Sequence, residues 1–261
     1  MLLATPRWSA PTKRLSISRD EVHVWRANLD QPKGFLSDKL YPLLSEDETI
    51  QARRMPYEEH RDRFVAGRAI RRAVLSRYAR VDPRFLEFEY GAHGKPRIKA
   101  GPGADGLRFN MSHSVNLALI AVALEREVGI DVERLRPVIE QEKIVERYFS
   151  TDEKNSYRLL PPGRRRRAFF IAWTRKEAYM KAAGFGLSEG LDHPEVIFPL
   201  DNHPGPRKVR TQVELSGRWV TLEFEPGDEF VAAVVVEGPP CRFRFWDWSG
   251  EAMPEPGSLE L

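Results

Sequence analysis

The chain repeats itself. Shifted by 105 positions without a gap, Ser45, Asp47, Glu48, Arg53, Pro56, Arg61, Phe64 and Ala73 fall on Ser150, Asp152, Glu153, Arg158, Pro161, Arg166, Phe169 and Ala178. A duplicated unit of this size restricts the fold to two similar halves, each of which must bury an apolar face. Each copy opens on a capping signal, SEDE or STDE, whose Ser or Thr can accept from free N–H groups of a first helical turn. A short helix follows and stops near Pro56 or Pro161, and a long amphipathic helix comes next, over roughly 58–80 and 164–183.

Strand-like segments follow each long helix. They are 85–90 (FLEFEY), 107–112 (LRFNMS) and 117–124 (LALIAVAL) in the first copy, and 195–198 (EVIF), 219–225 (WVTLEFE) and 229–236 (EFVAAVVV) in the second. The pattern predicts an α+β fold, a pseudo-dimer of two α+β halves over 21–126 and 127–246. A loose leader (1–20) and a loose tail (247–261) flank them. The join at EREV (125–128) places VGIDVE (128–133) near the seam between halves.

That hexapeptide carries two acids, Asp131 and Glu133, one residue apart in an apolar run. On a strand, side chains at i and i+2 share a face, so two carboxylates stand side by side and repel. Solvent, a basic partner or a cation must compensate. In IAWTRKEAYMKAAG (171–184), Trp173, Glu177 and Lys181 recur every four residues on one helical face, and Gly184 is placed to end the helix. Taken alone, Glu177 with Lys181 reads as an ordinary surface ion pair. Taken together, three carboxylates with no His or Cys among them suit a hard, oxygen-loving cation such as Mg²⁺ rather than zinc. Two further stretches add polar groups: FNMSHS (109–114), whose Asn, Ser, His and Ser after a strand can donate to phosphate oxygens or simply form a hydrogen-bonded turn, and the loop GAHGKP (91–96), which offers close backbone approach and one lysine.

Composition removes other classes. Cys241 is the single cysteine among 261 residues, which excludes an intrachain disulfide or a cysteine metal cluster and fits a reducing, cytoplasmic setting. The longest apolar runs are too short to span a bilayer as helices, so no membrane partner is expected. Net charge is +3 and the pI is near 9.0, with arginines gathered in RRAVLSRYAR (71–80) and GRRRR (163–167). Such runs fit an acidic or phosphate-rich partner, or simply solvated helix faces. No P-loop, nucleophile elbow or HExxH run occurs. A nucleic-acid-binding module would use the arginines but leave the three acids unexplained. A Mg²⁺-dependent phosphohydrolase or nucleotidyl transferase would use the acids but not FNMSHS with WTRKEAYMK.

In order, GKP, FNMSHS, GIDVE and WTRKEAYMKAAGFGLS resemble the 4′-phosphopantetheinyl transferases of the surfactin-synthetase-activating type, over about residues 45–236. The resemblance implies a pseudo-dimeric fold with the active site in the cleft between halves. It implies transfer of the phosphopantetheine arm of coenzyme A to a serine of an acidic acyl or peptidyl carrier protein. By the same resemblance, Asp131, Glu133 and Glu177 are the ligands of Mg²⁺ (or Mn²⁺), Glu177 also takes the serine proton, and Lys181 holds the pyrophosphate. Gly94, Lys95 and Pro96 line the adenine side, Ser112 and His113 contact coenzyme A phosphates, and Arg63 meets the 3′-phosphate. Two lysines that the family often carries upstream of that arginine are Glu48 and Gln51 here, with Arg53 and Arg54 nearby. The internal duplication favours a monomer, and GRRRR suits docking of an acidic carrier protein.

Overall fold

LALIAVAL is apolar at every position because both of its faces are covered. The computed structural model describes residues 3–12, 14–99, 103–185, 207–208 and 218–250. Ten strands occur among them: β1 (Glu21–Asn28), β2 (Phe88–Tyr90), β3 (Pro96–Ile98), β4 (Leu107–Ser114), β5 (Leu117–Leu124), β6 (Val128–Arg134), β7 (Arg207–Lys208), β8 (Trp219–Phe224), β9 (Phe230–Glu237) and β10 (Arg242–Asp247). The α-helices are α1 (Lys33–Phe35), α2 (Glu46–Arg53), α3 (Glu58–Ala79), α4 (Gln141–Tyr148), α5 (Thr151–Arg158) and α6 (Pro162–Ala183). One sheet has the order β10-β1-β5-β4, the other β6-β9-β8-β7, and β2-β3 form a separate hairpin.

The two four-stranded sheets pack face to face, with α3 outside one and α6 outside the other. Alternation along β5 sorts Ala118, Ile120 and Val122 to the α3 side, where they meet Ile70, Val74 and Trp25. Leu119, Ala121 and Ala123 go to the inter-sheet core with Ile130, Val132, Leu222 and Val234. On β9, Ala233 and Val235 face Ala178 and Ala182 of α6 while Ala232 and Val234 face the other sheet. The α+β class expected from the pattern is the fold observed.

Each short helix starts with a capping box, Ser45 with Glu48 and Ser150 with Glu153. The same glutamates then enter the core. Glu48 accepts from Arg71 at 2.8 Å and Arg72 at 2.6 Å, and Glu153 pairs with Lys176 at 2.9 Å. Positions 71 and 176 are equivalent in the repeat, as are 72 and 177. The first copy therefore commits both of its cations to the buried glutamate, whereas the second uses Lys176 and carries Glu177 at the other position.

Several expectations need correction. The leader is not loose: Ala4 bridges Phe224 of the second sheet and Ser9 bridges Trp246 of the first. Trp8 wedges between Phe224 and Phe245, with the Arg26 guanidinium 4.6 Å from its ring centre. Leu3 and Leu15 are buried as well, so the segment is anchored by several apolar side chains. β10, expected to belong with the second half, pairs in parallel with β1 in the first sheet. The start of the tail is also fixed, since Trp248 is buried and its N–H donates to Arg26 O at 3.0 Å. FLEFEY begins as a 3₁₀ turn at Pro83–Phe85 and becomes strand only at Phe88. The strand expected at 195–198 lies outside the described residues.

Gly129 sets the distance between β6 and α6. A Cβ there would collide with the Ala178 carbonyl and the Ala182 backbone, so only glycine lets the helix lie this close to the strand. Gly129→Ala should force the two apart and cost ~3 kcal/mol. Urea unfolding measures this, and an unchanged midpoint would contradict the packing described.

Candidate active site at the seam of the two sheets

β4 and β6 are edge strands of different sheets, and polar side chains join them. FNMSHS lies wholly within β4 rather than in a turn after a strand, so Asn110, Ser112 and Ser114 alternate onto one face. Asn110 Oδ1 accepts from the Ile130 N–H at 3.0 Å, and Ser112 Oγ donates to Asp131 Oδ1 at 2.8 Å. Ser114 Oγ donates to Glu133 Oε2 at 3.0 Å while accepting from the Arg134 N–H at 3.1 Å. These side chains do the work of a backbone ladder and fix where the β6 acids stand.

α6 supplies the remaining groups. Lys181 Nζ donates to Asp131 Oδ1 at 2.7 Å and to Ser112 Oγ at 3.2 Å. Trp173, Glu177 and Lys181, expected on one helical face, line a cavity of about 440 Å³ together with Ser112, His113, Asp131 and Glu133. It adjoins a larger cavity of about 690 Å³, and Met111 and His113 border both. Arg63, Arg68, Arg71, His60 and Pro96 line the larger one.

The electrostatics are those of acids short of positive charge. Asp131 is only 4% exposed, and among the described residues its Oδ2 has no hydrogen-bond partner. Burial raises its pKa, with Lys181 and Ser112 pulling the other way. Glu133 is raised by burial and then by the neighbouring Asp131 charge. Glu177 is raised by burial, with Asp131 and Glu133 adding to the shift and Lys181 opposing it. His113 is held below the ordinary histidine value by desolvation and then by Lys181, Arg68 and Arg63.

No three His, Cys, Asp or Glu side chains among the described residues are gathered into a ready-made metal cluster. The donor set nonetheless suits a hard cation: it is all oxygen, it faces one cavity, and one buried carboxylate oxygen has no partner. Lys181 covers part of the deficit from one side.

Comparison with known proteins shows which family the chain is similar to. A family model described as the 4′-phosphopantetheinyl transferase superfamily matches residues 127–235, from the start of β6 through β9. The 4′-phosphopantetheinyl transferase HetI of Nostoc sp. is 40% identical over 241 residues, covering 92% of this chain and 98% of that one. The chain belongs to the 4′-phosphopantetheinyl transferase superfamily. A Bacillus subtilis 4′-phosphopantetheinyl transferase is 30% identical over 70% of this chain and 79% of its own. The Salmonella typhi enzyme AcpT is 34% identical over 49% and 62%. The family implies coenzyme A and a carrier protein as partners, and commonly a divalent metal. Among the described residues no helix is long and apolar enough to cross a membrane.

In this transferase the residues singled out by sequence divide into two groups. Asp131, Glu133, Glu177, Lys181, Ser112 and His113 share the smaller cavity. Arg63 and Pro96 line the larger one, and Arg63 is tied to Asp30 at 2.6 Å and Glu59 at 2.8 Å. Gly94 and Lys95 line neither. Glu48, one of the two positions where the family often has lysine, is committed to Arg71 and Arg72 in the core. Of the GRRRR run, Arg165 caps Leu160 O and Arg158 O, and Arg167 pairs with Glu225 at 2.6 Å; Arg164 and Arg166 are exposed. Sequence reasoning read Ser114 only as a phosphate donor within FNMSHS, not as the partner of Glu133, and passed over Arg68. The polar alternation Asn110, Ser112, Ser114 was the available signal for the first.

Because the folded protein raises the pKa of Glu177, it binds more protons there than the unfolded chain does, and this group's contribution to stability falls as pH rises above about 4.5. Glu177→Gln should therefore raise the melting temperature at pH 7, with the gain fading as pH drops below that value. Calorimetry across pH 3.5–8 tests it, and a loss of stability at pH 7 would show that the carboxylate is satisfied as it stands.

Proposed function

We propose that the chain is a Mg²⁺-dependent holo-[acyl-carrier-protein] synthase. It moves the 4′-phosphopantetheine arm of coenzyme A onto a serine of an apo acyl or peptidyl carrier protein and releases adenosine 3′,5′-bisphosphate. The observation that carries this reading is the buried, half-partnered Asp131 beside Glu133, Glu177 and Lys181, in a cavity that adjoins an arginine-lined one.

Asp131, Glu133 and Glu177 would hold Mg²⁺ (or Mn²⁺), which when bound supplies neutralising charge to the pyrophosphate. The chain's own groups do the rest. The serine Oγ bonds to the phosphorus that carries the pantetheine arm, and the bond from that phosphorus to the bridging oxygen breaks. The departing electron pair stays with adenosine 3′,5′-bisphosphate. Glu177, facing the cavity with Asp131 and Glu133, is placed to accept the serine proton. Lys181 donates to a pyrophosphate oxygen and stabilises the charge that develops as the bond breaks.

Ser112 holds Asp131 by its hydroxyl, and His113, at the border of the two cavities, donates to a coenzyme A phosphate. Arg63, with Arg68 beside it, meets the 3′-phosphate in the larger cavity, and Pro96 and the Gly94 turn stand on the adenine side. Arg164 and Arg166 give an acidic carrier protein a steering patch. The chain acts as a monomer, with its two sheets providing the cleft.

Incubation with coenzyme A, Mg²⁺ and a panel of apo carrier proteins, read by intact mass, should add one phosphopantetheine arm to at least one of them. Asp131→Ala and Glu177→Ala should each lower the rate by ~10²-fold or more while keeping the circular-dichroism spectrum. Transfer to no carrier, or full turnover in either variant, would overturn the assignment.

A further inference from the structure

Resemblance places Lys95 beside the nucleotide, yet its ammonium points elsewhere. The turn from Gly91 to Lys95 is closed by Gly94 N–H to Gly91 O at 2.9 Å and Gly91 N–H to Lys95 O at 3.0 Å, with Gly94 at φ 75°. This turn leads into Pro96, which lines the larger cavity. The Lys95 side chain, only 12% exposed, turns away and donates to Glu127 Oε2 at 2.8 Å and Ala182 O at 3.0 Å.

Ala182 lies in the last turn of α6, where carbonyls run out of intrahelical donors. Gly184 and Phe185 both donate to Met180 O, and the Ala182 carbonyl accepts a hydrogen bond from Lys95, which sits on the other half of the molecule. A cation at a helix C-terminus also meets the negative end of the helix dipole. Glu127 immediately precedes β6 and collects Arg97 and Arg108 as well, at 2.9 and 3.2 Å. Lys95 thus ties three things together: the turn beside the large cavity, the entry to the β6 acids, and the end of the helix that carries Glu177 and Lys181.

We propose that Lys95 is a positioning residue that fixes the C-terminal turn of α6, and through it Lys181 and Glu177, and that its ammonium is not a ligand of coenzyme A. This rests on the transferase reading above. A helix end that is free to shift by an ångström or so misplaces Lys181, the residue just before the one whose carbonyl is capped. Rate then suffers while ground-state binding of the nucleotide does not.

The test compares Lys95→Met, Lys95→Arg and Glu127→Gln with the unmodified protein. Three quantities are read: kcat and KM for coenzyme A, the Kd of adenosine 3′,5′-bisphosphate by calorimetry, and amide exchange over 178–185. Lys95→Met should lower kcat about tenfold or more while KM and Kd stay within about twofold. The same variant should speed exchange at the end of α6. Lys95→Arg should recover most of the rate, and Glu127→Gln should move kcat and exchange in the same direction as Lys95→Met without touching any ligand-facing group. If Lys95→Met fails to fold, Glu127→Gln carries the test. A tenfold weaker Kd in Lys95→Met with Glu127→Gln silent would overturn the proposal and make Lys95 a nucleotide ligand. Absence of transfer in the unmodified protein would defeat the functional reading instead, and the Kd and exchange measurements would still decide the role of Lys95.

Discussion

A carboxylate that is 4% exposed, with one oxygen shared between Ser112 and Lys181 and the other without a partner, is costly to keep ionised. Everything around Asp131 is arranged to hold it there. Gly129, two residues earlier on β6, lets α6 lie against the strand, which brings Lys181 within reach. On the other side β4 presents Asn110, Ser112 and Ser114 at two-residue spacing, each bonded to β6. Lose the close packing at Gly129 and the lysine withdraws; lose the serine face of β4 and the acids are free to turn. The site is a property of the seam and of neither sheet alone.

The two copies of the repeat show how one architecture serves two purposes. In each, a capping glutamate is drawn inward and neutralised from the long helix, Glu48 by Arg71 and Arg72, Glu153 by Lys176. Breaking such a buried pair typically costs several kcal/mol, so these pairs lock each short helix onto its long one. The first copy spends two arginines on the lock. The second manages with Lys176, which leaves position 177 available for a carboxylate facing the cavity. α3 contributes the cations Arg63 and Arg68 to the larger cavity, and α6 contributes acid and lysine to the smaller one.

Much of this was legible in the residues. Capping boxes, long helices and doubly buried strands follow local rules, and the three acids with Lys181 were found from spacing on one strand and one helix. What escaped depended on contacts between distant segments. Nothing local to PRWSAP (6–11) shows that Trp8 will fill a gap between Phe224 and Phe245, and nothing local to β10 shows that it will cross to pair with β1. The role of Ser114 needed the side-by-side placement of two edge strands, and the direction of the Lys95 side chain needed the end of a helix nearly ninety residues away.

The central claim is that Asp131, Glu133 and Glu177 act together as a cation site completed by coenzyme A. Electron paramagnetic resonance titration of Mn²⁺ addresses it directly, without relying on turnover. In the presence of coenzyme A the protein should bind the ion tightly, and Asp131→Asn should weaken that binding by about 100-fold. Equal Mn²⁺ affinity in the two proteins would contradict the claim.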